Sequence, residues 1–501
     1  MFEVAEVGQK LDRDTYDQLV PQLRERLLDV QFRLKSADFS VVIVIGGVEG
    51  AGKGETVNLL MEWLDTRGVA VHALAPQGHR TQEHPGLYRF WRELPPKGKI
   101  AIFFGSWYTR PIVDYVFRRS DELRFDRELS RIVDFELMLS NEGTLLLKFR
   151  LHISKKQQRH RLKKLKSSSR TAWRVTRNDW KFHAMYDHFR PVCSRALERT
   201  STGHALWNII EAADRRFRHA TTAQRIVSAI EERLNRKPAL PQPAAALPVP
   251  PRVNVIHSLD LRRKPDEQKY SDKLDKHQAS LGHLARQLGG ANRAVVVVFE
   301  GPDAAGKGGC IRRIVQALDA RFYRVLPIAA PTDEERARPY LWRFWRHLPG
   351  RGHVAIYDRS WYGRVLVERI EELCTPNDWQ RAYAEINSFE EQLVDSGIVL
   401  VKFWLAISPE EQLRRFQERE ATGYKRYKLT GEDLRNREKW PAYEAAACEM
   451  FANTSTETAP WTLVEAEDKH YARVKVLKTL VDRVKSALNC DPKCHLKRRP
   501  K

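Results

Sequence analysis

The 501-residue sequence is poor in sulfur, poor in acidic residues relative to basic ones, and without long apolar runs. Six cysteines are scattered with no pairing framework, which excludes a disulfide-stapled fold and suits a reducing compartment. They are Cys193, Cys310, Cys374, Cys448, Cys490 and Cys494. Cys490, Cys494 and His495 lie close together, but a fourth metal ligand is missing. We therefore interpret these two cysteines as free thiols in a basic tail.

No apolar run approaches the roughly 20 residues that cross a bilayer. Residues 1–14 carry charges and no apolar stretch of the kind that a secretory signal needs. We therefore expect a cytoplasmic protein without a membrane segment. Lysine and arginine number 86 against 64 aspartates and glutamates, a net charge of +22. This excess attracts polyanions, but charge alone does not choose between nucleic acid and an inorganic polyanion.

One phosphate-binding pattern occurs twice. In each copy a β-branched run is followed by G-x-x-x-x-G-K, once at Gly47–Lys53 and once at Gly301–Lys307. Backbone N–H groups of such a loop wrap an anionic phosphate, and the lysine supplies a positive charge. A single match has little specificity. Two matches in register, each after a strand-like run, predict a true P-loop fold.

The two loops belong to a duplication of a whole domain. The offset of 254 residues also relates Phe90-Trp91-Arg92 to Phe344-Trp345-Arg346, and Ser106-Trp107-Tyr108 to Ser360-Trp361-Tyr362. An offset this constant indicates tandem domains rather than a solenoid of short repeats. The segment 237–252 is rich in proline and predicts an extended spacer. We expect domains at 1–236 and 253–501, joined by this linker.

Strand-like runs alternate with helical stretches in each copy, which predicts the α/β class with a parallel sheet flanked by helices. Helices are expected before each loop, around Tyr16–Leu34 and Leu274–Leu288. The clearest strands of the second copy are Ala294–Phe299, Val354–Tyr357 and Ile398–Trp404. We therefore predict tandem duplicated P-loop kinase-like domains, with sites at the carboxyl ends of the strands.

Two aspartates of the second copy are candidate metal ligands. Lys307 is followed by Gly308, so the hydroxyl that usually binds magnesium in P-loops is absent. Mg²⁺ would then need carboxylates, and Asp303 within the loop and Asp358 at a strand end can supply them. The alternative for Asp358 is a helix N-cap, because a helical pattern follows it. Its position beside a P-loop favours the metal interpretation.

Arginines near Asp358 are candidate ligands of substrate phosphates. Arg359 follows the aspartate directly, as in nucleoside monophosphate kinases of the thymidylate type, and Arg364 is close behind. The alternative is a surface ion pair.

Further on, a basic stretch resembles the lid of nucleotide kinases or, alternatively, a solvated helix face. It contains Arg414, Arg415, Arg419, Lys425, Arg426 and Lys428. The aromatic run from Tyr340 to Trp345 is expected to be core rather than a base-stacking surface.

The first copy keeps several cations, including Lys53, Arg110, Arg161 and Arg174, but lacks other charged residues of the second copy. Phe104 stands in register with Asp358, Gly105 with Arg359, Leu59 with Arg313, and Glu49 with Asp303. Without a strand-end carboxylate a magnesium ion would be poorly held. We therefore expect the first copy to be catalytically degenerate, although its remaining cations leave polyanion binding open.

Combined, these motifs resemble the polyphosphate kinase 2 family, in its two-domain class. The resemblance is carried by Gly301–Gly309, Tyr357–Arg364 and Thr454–Thr456, with register mates in the first copy, and spans nearly the whole chain. One departure is Tyr427-Lys428 in the lid, where the family has a Trp-Lys pair.

The resemblance implies transfer of a terminal phosphoryl group from inorganic polyphosphate to AMP, giving ADP, with Mg²⁺, in the C-terminal domain. It implies a catalytic set of Asp303, Lys307, Asp358 and Arg359, with Asp303 and Asp358 on the metal and Arg359 and Arg364 on the nucleotide. Residues expected to bind phosphate are Gly301, Gly306, Lys307, Gly308, Arg313, Arg415, Arg419, Lys425 and Lys428.

Two rival functions remain open at this level. An ATP-dependent nucleoside monophosphate kinase would use the same residues with another donor. A non-catalytic basic P-loop protein could bind nucleic acid, but no recognition module for nucleic acid is visible, so we expect no nucleic-acid partner. The sequence is compatible with a homo-oligomer.

Overall fold

The computed structural model describes residues 1–74, 84–236, 254–422 and 431–489. They form two compact units, one mainly from the first copy and one mainly from the second, with Pro331–Trp342 grouped with the first. The predicted linker, Lys425, Lys428, Cys490 and Cys494 lie outside the described residues. No helix in the described ranges is both long and apolar enough to span a membrane.

The first unit contains five parallel strands, each between helices. The strands are β1 (Val41–Gly47), β2 (Val69–Ala73), β3 (Ile100–Phe104), β4 (Leu145–His152) and β5 (Trp207–Glu211). The helices are α1 (Arg13–Leu34), α2 (Lys53–Trp63), α3 (Tyr88–Arg92), α4 (Thr109–Val116), α5 (Glu122–Asn141), α6 (Lys155–Ser167), α7 (Arg177–Ala184), α8 (Tyr186–Thr200) and α9 (Arg215–Asn235).

The second copy repeats this plan. Its strands are β6 (Ala294–Glu300), β7 (Tyr323–Pro327), β8 (Val354–Asp358), β9 (Ile398–Ala406) and β10 (Trp461–Glu465). Its helices are α10 (Tyr270–Gln287), α11 (Lys307–Val315), α12 (Asp333–Arg336), α13 (Trp342–Trp345), α14 (Val367–Ile370), α15 (Pro376–Asp395), α16 (Pro409–Ala421), α17 (Gly431–Glu438), α18 (Trp440–Thr454) and α19 (Lys469–Asn489).

Both sheets have the same order, with the strand before the P-loop in the middle: β2-β3-β1-β4-β5 and β7-β8-β6-β9-β10. The register is also the same, since Val41 pairs with Ile100 and Val295 with Val354. Every residue of β6 is buried because helices cover both faces of the sheet. The predicted fold class is thereby confirmed.

The aromatic run of the second copy is core, as predicted: Tyr340, Trp342, Phe344 and Trp345 are all buried. Beside it lies a buried ion pair, in which Lys402 Nζ is 2.7 Å from Glu390 Oε2. The other carboxylate oxygen accepts hydrogen bonds from Trp361 and Tyr362, immediately after the β8 strand end. The first copy has the same arrangement around Lys148 and Glu136. Because both copies keep this network, although only the second has an aspartate at the strand end, we interpret it as structural support for the turn after the strand.

Candidate active site

The P-loop of the second copy joins β6 to α11. Gly301 has a φ of 133°, and a Cβ there would lie 2.5 Å from the carbonyl oxygen of Leu405. Gly306, with a φ of 108°, precedes the first residue of α11. Lys307 Nζ donates to the carbonyl oxygens of Gly301 at 2.6 Å and Pro302 at 3.1 Å. The lysine therefore lies along the loop, beside the helix N-terminus where a phosphate binds.

Asp358 is the last residue of β8, with its side chain at the carboxyl edge of the sheet. The short 3₁₀ helix that follows, Trp361–Val365, is capped by Ser360, whose hydroxyl accepts from Tyr362 N. The N-cap alternative for Asp358 is thus wrong. Within the described residues, the Asp358 carboxylate makes no hydrogen bond or ion pair. It is available to a ligand in the adjoining cavity.

Asp303 is the other carboxylate of the loop, and it is held by two side chains. Arg359 Nη2 lies 2.6 Å from its Oδ1, and Asn436 Nδ2 donates to its Oδ2 at 3.0 Å. Burial raises the pKa of Asp303, but Lys307, Arg359 and the Asn436 hydrogen bond outweigh that effect and leave the pKa below its ordinary value. Asp303 is therefore ionised at neutral pH.

Arg359 has a left-handed backbone, with a φ of 63°. Its register mate Gly105 has a φ of 85°, so both copies make the same turn after the strand. Glycine adopts this conformation without strain, whereas a side chain there costs about 1–2 kcal/mol. The second copy tolerates that cost to place a guanidinium beside Asp303. Strain of this kind concentrates at functional sites.

A cavity of about 540 Å³ lies over the loop and the start of α11. Seven lysines and arginines line it against three carboxylates. The cations are Lys307, Arg312, Arg359, Arg415, Arg419, Lys469 and Arg473, and the carboxylates are Asp303, Asp358 and Glu418. Gly306 and Gly308 also line it. Such a cavity favours a multiply charged anion.

The structure thus brings together most of the predicted site and adds three cations. Arg312, Lys469 and Arg473 were not predicted as phosphate ligands. Arg313 lies on the same helix as Arg312 but is not among the residues that line the cavity. Helical periodicity explains the difference, since neighbouring residues of a helix point in different directions.

Arg415 lines the cavity, but its contacts are structural. Its guanidinium donates to Glu411 and to the backbone carbonyls of Ala304, Ala466 and Glu467, which ties the P-loop to the end of the sheet. Arg161, in register in the first copy, makes equivalent contacts with carbonyls of that copy. Because both copies share these contacts, we interpret Arg415 as a support of the loop rather than a direct phosphate ligand.

Arg364, predicted to bind the nucleotide, lies in the 3₁₀ helix with its Nε 2.9 Å from Glu368 Oε2. It is not among the residues that line the cavity. Arg419 lines the cavity from α16. Its lid neighbours Lys425 and Lys428 lie outside the described residues, so their part in the site stays a prediction.

Glu300 is a buried carboxylate that sequence reasoning missed, although an acidic residue ending a wholly buried strand was a signal. It closes β6, is 5% exposed, and accepts a hydrogen bond from Ser360 Oγ at 2.8 Å. Burial raises its pKa to about 6, against the opposing effects of Ser360, Lys307 and Arg359. Its ionised form is therefore disfavoured by folding.

Replacing Glu300 by glutamine is expected to stabilise the protein in a pH-dependent way. Below about pH 4.5 both states of the wild type carry a protonated Glu300, so the variant gains little. As the pH rises through about 6, the wild type must ionise a buried group, and it loses roughly 2 kcal/mol relative to the variant. Urea unfolding between pH 4 and pH 8 measures this difference. A difference that does not change with pH would contradict the assignment, and the exposed Glu410→Gln is the control.

In the first copy two larger side chains occupy the equivalent space. Arg218 stands in register with Ala472 and Glu55 with Gly309, both of which line the cavity of the second copy. Arg218 is fully buried and lies 2.7 Å from Glu55 through Nη2. Its Nη1 donates to the carbonyl oxygens of Ala51 and Ala212 at 3.2 Å each. The buried Arg218, paired with the half-exposed Glu55, therefore stands where small residues line the cavity of the second copy.

Comparison with known proteins agrees with this geometry. The family model "Polyphosphate kinase 2 (PPK2)" matches residues 10–238 and 264–492. A polyphosphate:AMP phosphotransferase of Pseudomonas aeruginosa is 50% identical, covering 98% of this chain and 100% of that protein. One of Acinetobacter johnsonii is 38% identical, covering 94% and 97%.

A crystal structure from Pseudomonas aeruginosa PA01, described as a polyphosphate kinase 2, has a TM-score of 0.87 and 48% identity, covering 97% of this chain and 99% of that one. The likeness therefore extends over both copies in sequence and in structure. The chain belongs to the polyphosphate kinase 2 family and is a phosphotransferase.

Proposed function

We propose that the chain transfers the terminal phosphoryl group of inorganic polyphosphate to AMP, giving ADP, in its C-terminal copy. The observation that carries this proposal is the cavity over Lys307, where seven cations meet three carboxylates. A chain of phosphates carries about one charge per unit and is matched by such a lining. The relatives that cover the whole chain are named for the same reaction.

In this proposal each group of the site has a distinct task. Lys307 and the loop amides hold the phosphates of the donor, and Arg312, Lys469 and Arg473 neutralise the units that follow. Arg359 orients the phosphate of AMP, while the part of Arg364 in nucleotide binding stays a prediction, since it does not line this cavity. The bond from the terminal phosphorus to its bridging oxygen breaks as a bond to an AMP phosphate oxygen forms in line. Polyphosphate leaves one unit shorter.

The donor set fits a magnesium ion. Mg²⁺ is held in phosphotransferases by one or two carboxylates, with phosphate oxygens and waters completing the shell. Asp358 has no partner within the described residues, and Asp303 is ionised beside it on the loop. These two residues would hold the ion, which would supply positive charge against the phosphate oxygens.

One assay separates this proposal from its rivals. The purified chain is incubated with Mg²⁺, AMP and either polyphosphate or ATP, and nucleotides are resolved by chromatography. We expect ADP from polyphosphate, no ADP from it in the presence of a chelator, and recovery when Mg²⁺ is restored. ADP formed only with ATP would identify an ATP-dependent kinase. No turnover together with tight duplex binding would identify a nucleic-acid-binding protein.

We propose further that the first copy does not use polyphosphate, because Arg218 and Glu55 occupy its donor position. Giving it the residues of the second copy, Arg218→Ala with Glu55→Gly, is expected to add one binding site for short-chain polyphosphate per chain. Titration calorimetry at low ionic strength measures the stoichiometry. The gain is expected although the net charge does not change, since the double substitution removes one positive and one negative charge.

The matched control is Arg225→Ala, which removes an exposed arginine from the same helix α9 and should add no site. An unchanged stoichiometry in the double variant, with its circular dichroism preserved, would contradict the assignment of Arg218 and Glu55 as the groups that fill the donor position.

A further inference from the structure

The first copy contains a second kind of cavity beside its own loop, where Gly47, Glu49 and Lys53 line it. It measures about 640 Å³ and lies between the ends of β1, β2 and β3 and the helices α4, α7 and α8. Its volume is in the range of pockets that bind small organic ligands. Most of its lining is apolar or aromatic, including Phe104, Ile112, Phe117, Phe182, Phe189 and Leu197.

Three phenylalanines form one wall of this pocket and contact one another. The ring centroids of Phe117 and Phe182 are 5.8 Å apart, those of Phe117 and Phe189 5.9 Å, and those of Phe182 and Phe189 5.4 Å. Such distances give favourable aromatic contacts. None of the three is fully buried, so part of each ring is available to a ligand.

The same three positions of the second copy are polar, and one of them contacts Asp303. They are Glu371, Asn436 and Tyr443. Asn436 donates to Asp303, and the Tyr443 hydroxyl contacts the other end of the Asn436 amide at 3.1 Å. Thus, where the second copy has three polar side chains linked by hydrogen bonds near Asp303, the first copy has three phenylalanines. Loss of catalysis alone does not require an exchange of that kind.

Positive charge is also present in this pocket. Arg150 replaces the second copy's Trp404, and its Nη2 contacts Cys193 Sγ at 3.1 Å. Its buried Nε has no hydrogen-bond partner, and no carboxylate of the described residues forms an ion pair with the guanidinium. Lys181 lies 4.7 Å from the ring centroid of Phe117. Lys53, by contrast, is already paired with Glu49 at 3.0 Å.

We propose that this pocket is a non-catalytic binding site for a planar aromatic anion. The ring system would pack against Phe117, Phe182 and Phe189, and the anionic group would accept from the unpaired Arg150. A polyphosphate chain does not suit an apolar wall. Two classes share the required chemistry, nucleoside monophosphates and aromatic carboxylates.

The test uses the full chain and two fluorescent probes with the same aromatic skeleton, one of which carries an additional sulfonate group. The anionic probe is 1-anilinonaphthalene-8-sulfonate, and the neutral one is N-phenyl-1-naphthylamine. Phe182→Asn introduces the residue found in the second copy. It is expected to lower the affinity for both probes about tenfold. Arg150→Met is expected to weaken only the anionic probe, again about tenfold, because it removes the charge and keeps the volume.

The control variant is Leu123→Asn, which replaces an exposed apolar side chain outside the pocket and should change neither probe. Displacement of the anionic probe by AMP, lost in Phe182→Asn, would identify the nucleotide class, and displacement by 1-naphthoate the carboxylate class. If Phe182→Asn alters the binding of neither probe, the proposal that this pocket is the binding site is wrong. If Arg150→Met weakens the binding of both probes equally, the proposal that Arg150 binds the anionic group is wrong.

Discussion

Replacing Asp358 by asparagine is expected to lower turnover about a thousandfold while the protein folds normally. The carboxylate ends β8 above the P-loop and makes no bond to a described residue, so its removal breaks no structural contact. Asparagine has the same shape without the charge. If Asp358 holds the metal, what is lost is the positive charge that balances the phosphate oxygens during transfer. Initial rates with polyphosphate and AMP, at saturating magnesium, measure the effect.

Asp482→Asn is the matched control, because it removes an exposed carboxylate from α19 of the same unit. It is expected to leave the rate unchanged. Turnover of Asp358→Asn within a few-fold of the wild type would refute the metal assignment. A lowered rate accompanied by a lowered free energy of unfolding would instead mean that Asp358 supports the fold.

The fold could be predicted from the sequence because the duplication encodes each strand and helix twice, so that each pattern could be checked against its copy. The apolar runs before Lys53 and Lys307 predict the central strands β1 and β6, and the structure extends the predicted strands by one or two residues. A constant offset also requires equal sheet order in both copies, which the structure shows. Asp358 could be placed because a strand end beside a P-loop has a fixed position in such sheets.

Other features of the site depend on packing, which the sequence does not display. From the sequence, either Arg312 or Arg313 could line the cavity. The orientation of α11 about its own axis places Arg312 there. Arg415 was predicted to bind phosphate from its place in a basic stretch, yet its donors are taken by Glu411 and by backbone carbonyls. The burial of Glu300 likewise follows from helices that cover both sheet faces.

The sequence shows Arg218 and Glu55 where the second copy has Ala472 and Gly309. This difference alone did not predict that Arg218 is buried. A charged pair on two helices is usually a surface feature, worth little in stability. Its meaning appears only when the structure buries Arg218 against the loop. Compared position by position, the two copies then differ in two ways, in the residue that ends the strand and in the side chains beside the loop.

Replacing Arg359 by glycine is expected to lower turnover a hundredfold or more and to change stability by less than about 1 kcal/mol. Glycine relieves the strain of the left-handed backbone at φ 63°, as Gly105 does in the first copy. It also loses the ion pair with Asp303 and loosens the unfolded chain, and these effects oppose the gain. We therefore expect a large loss of activity with little change in the free energy of unfolding.

Arg359→Ala separates strain from chemistry, because alanine removes the guanidinium and keeps the Cβ. It should be as inactive as the glycine variant but less stable than it by about 1 kcal/mol. In the first copy, Gly105→Ala should also destabilise, since a Cβ there would lie 2.7 Å from the Leu74 carbonyl oxygen. Equal free energies of unfolding for Arg359→Gly and Arg359→Ala would contradict the claim that the backbone is strained at this position. Strain at Arg359 and its absence at Gly105 would then distinguish the copy in which we propose phosphoryl transfer from the other copy.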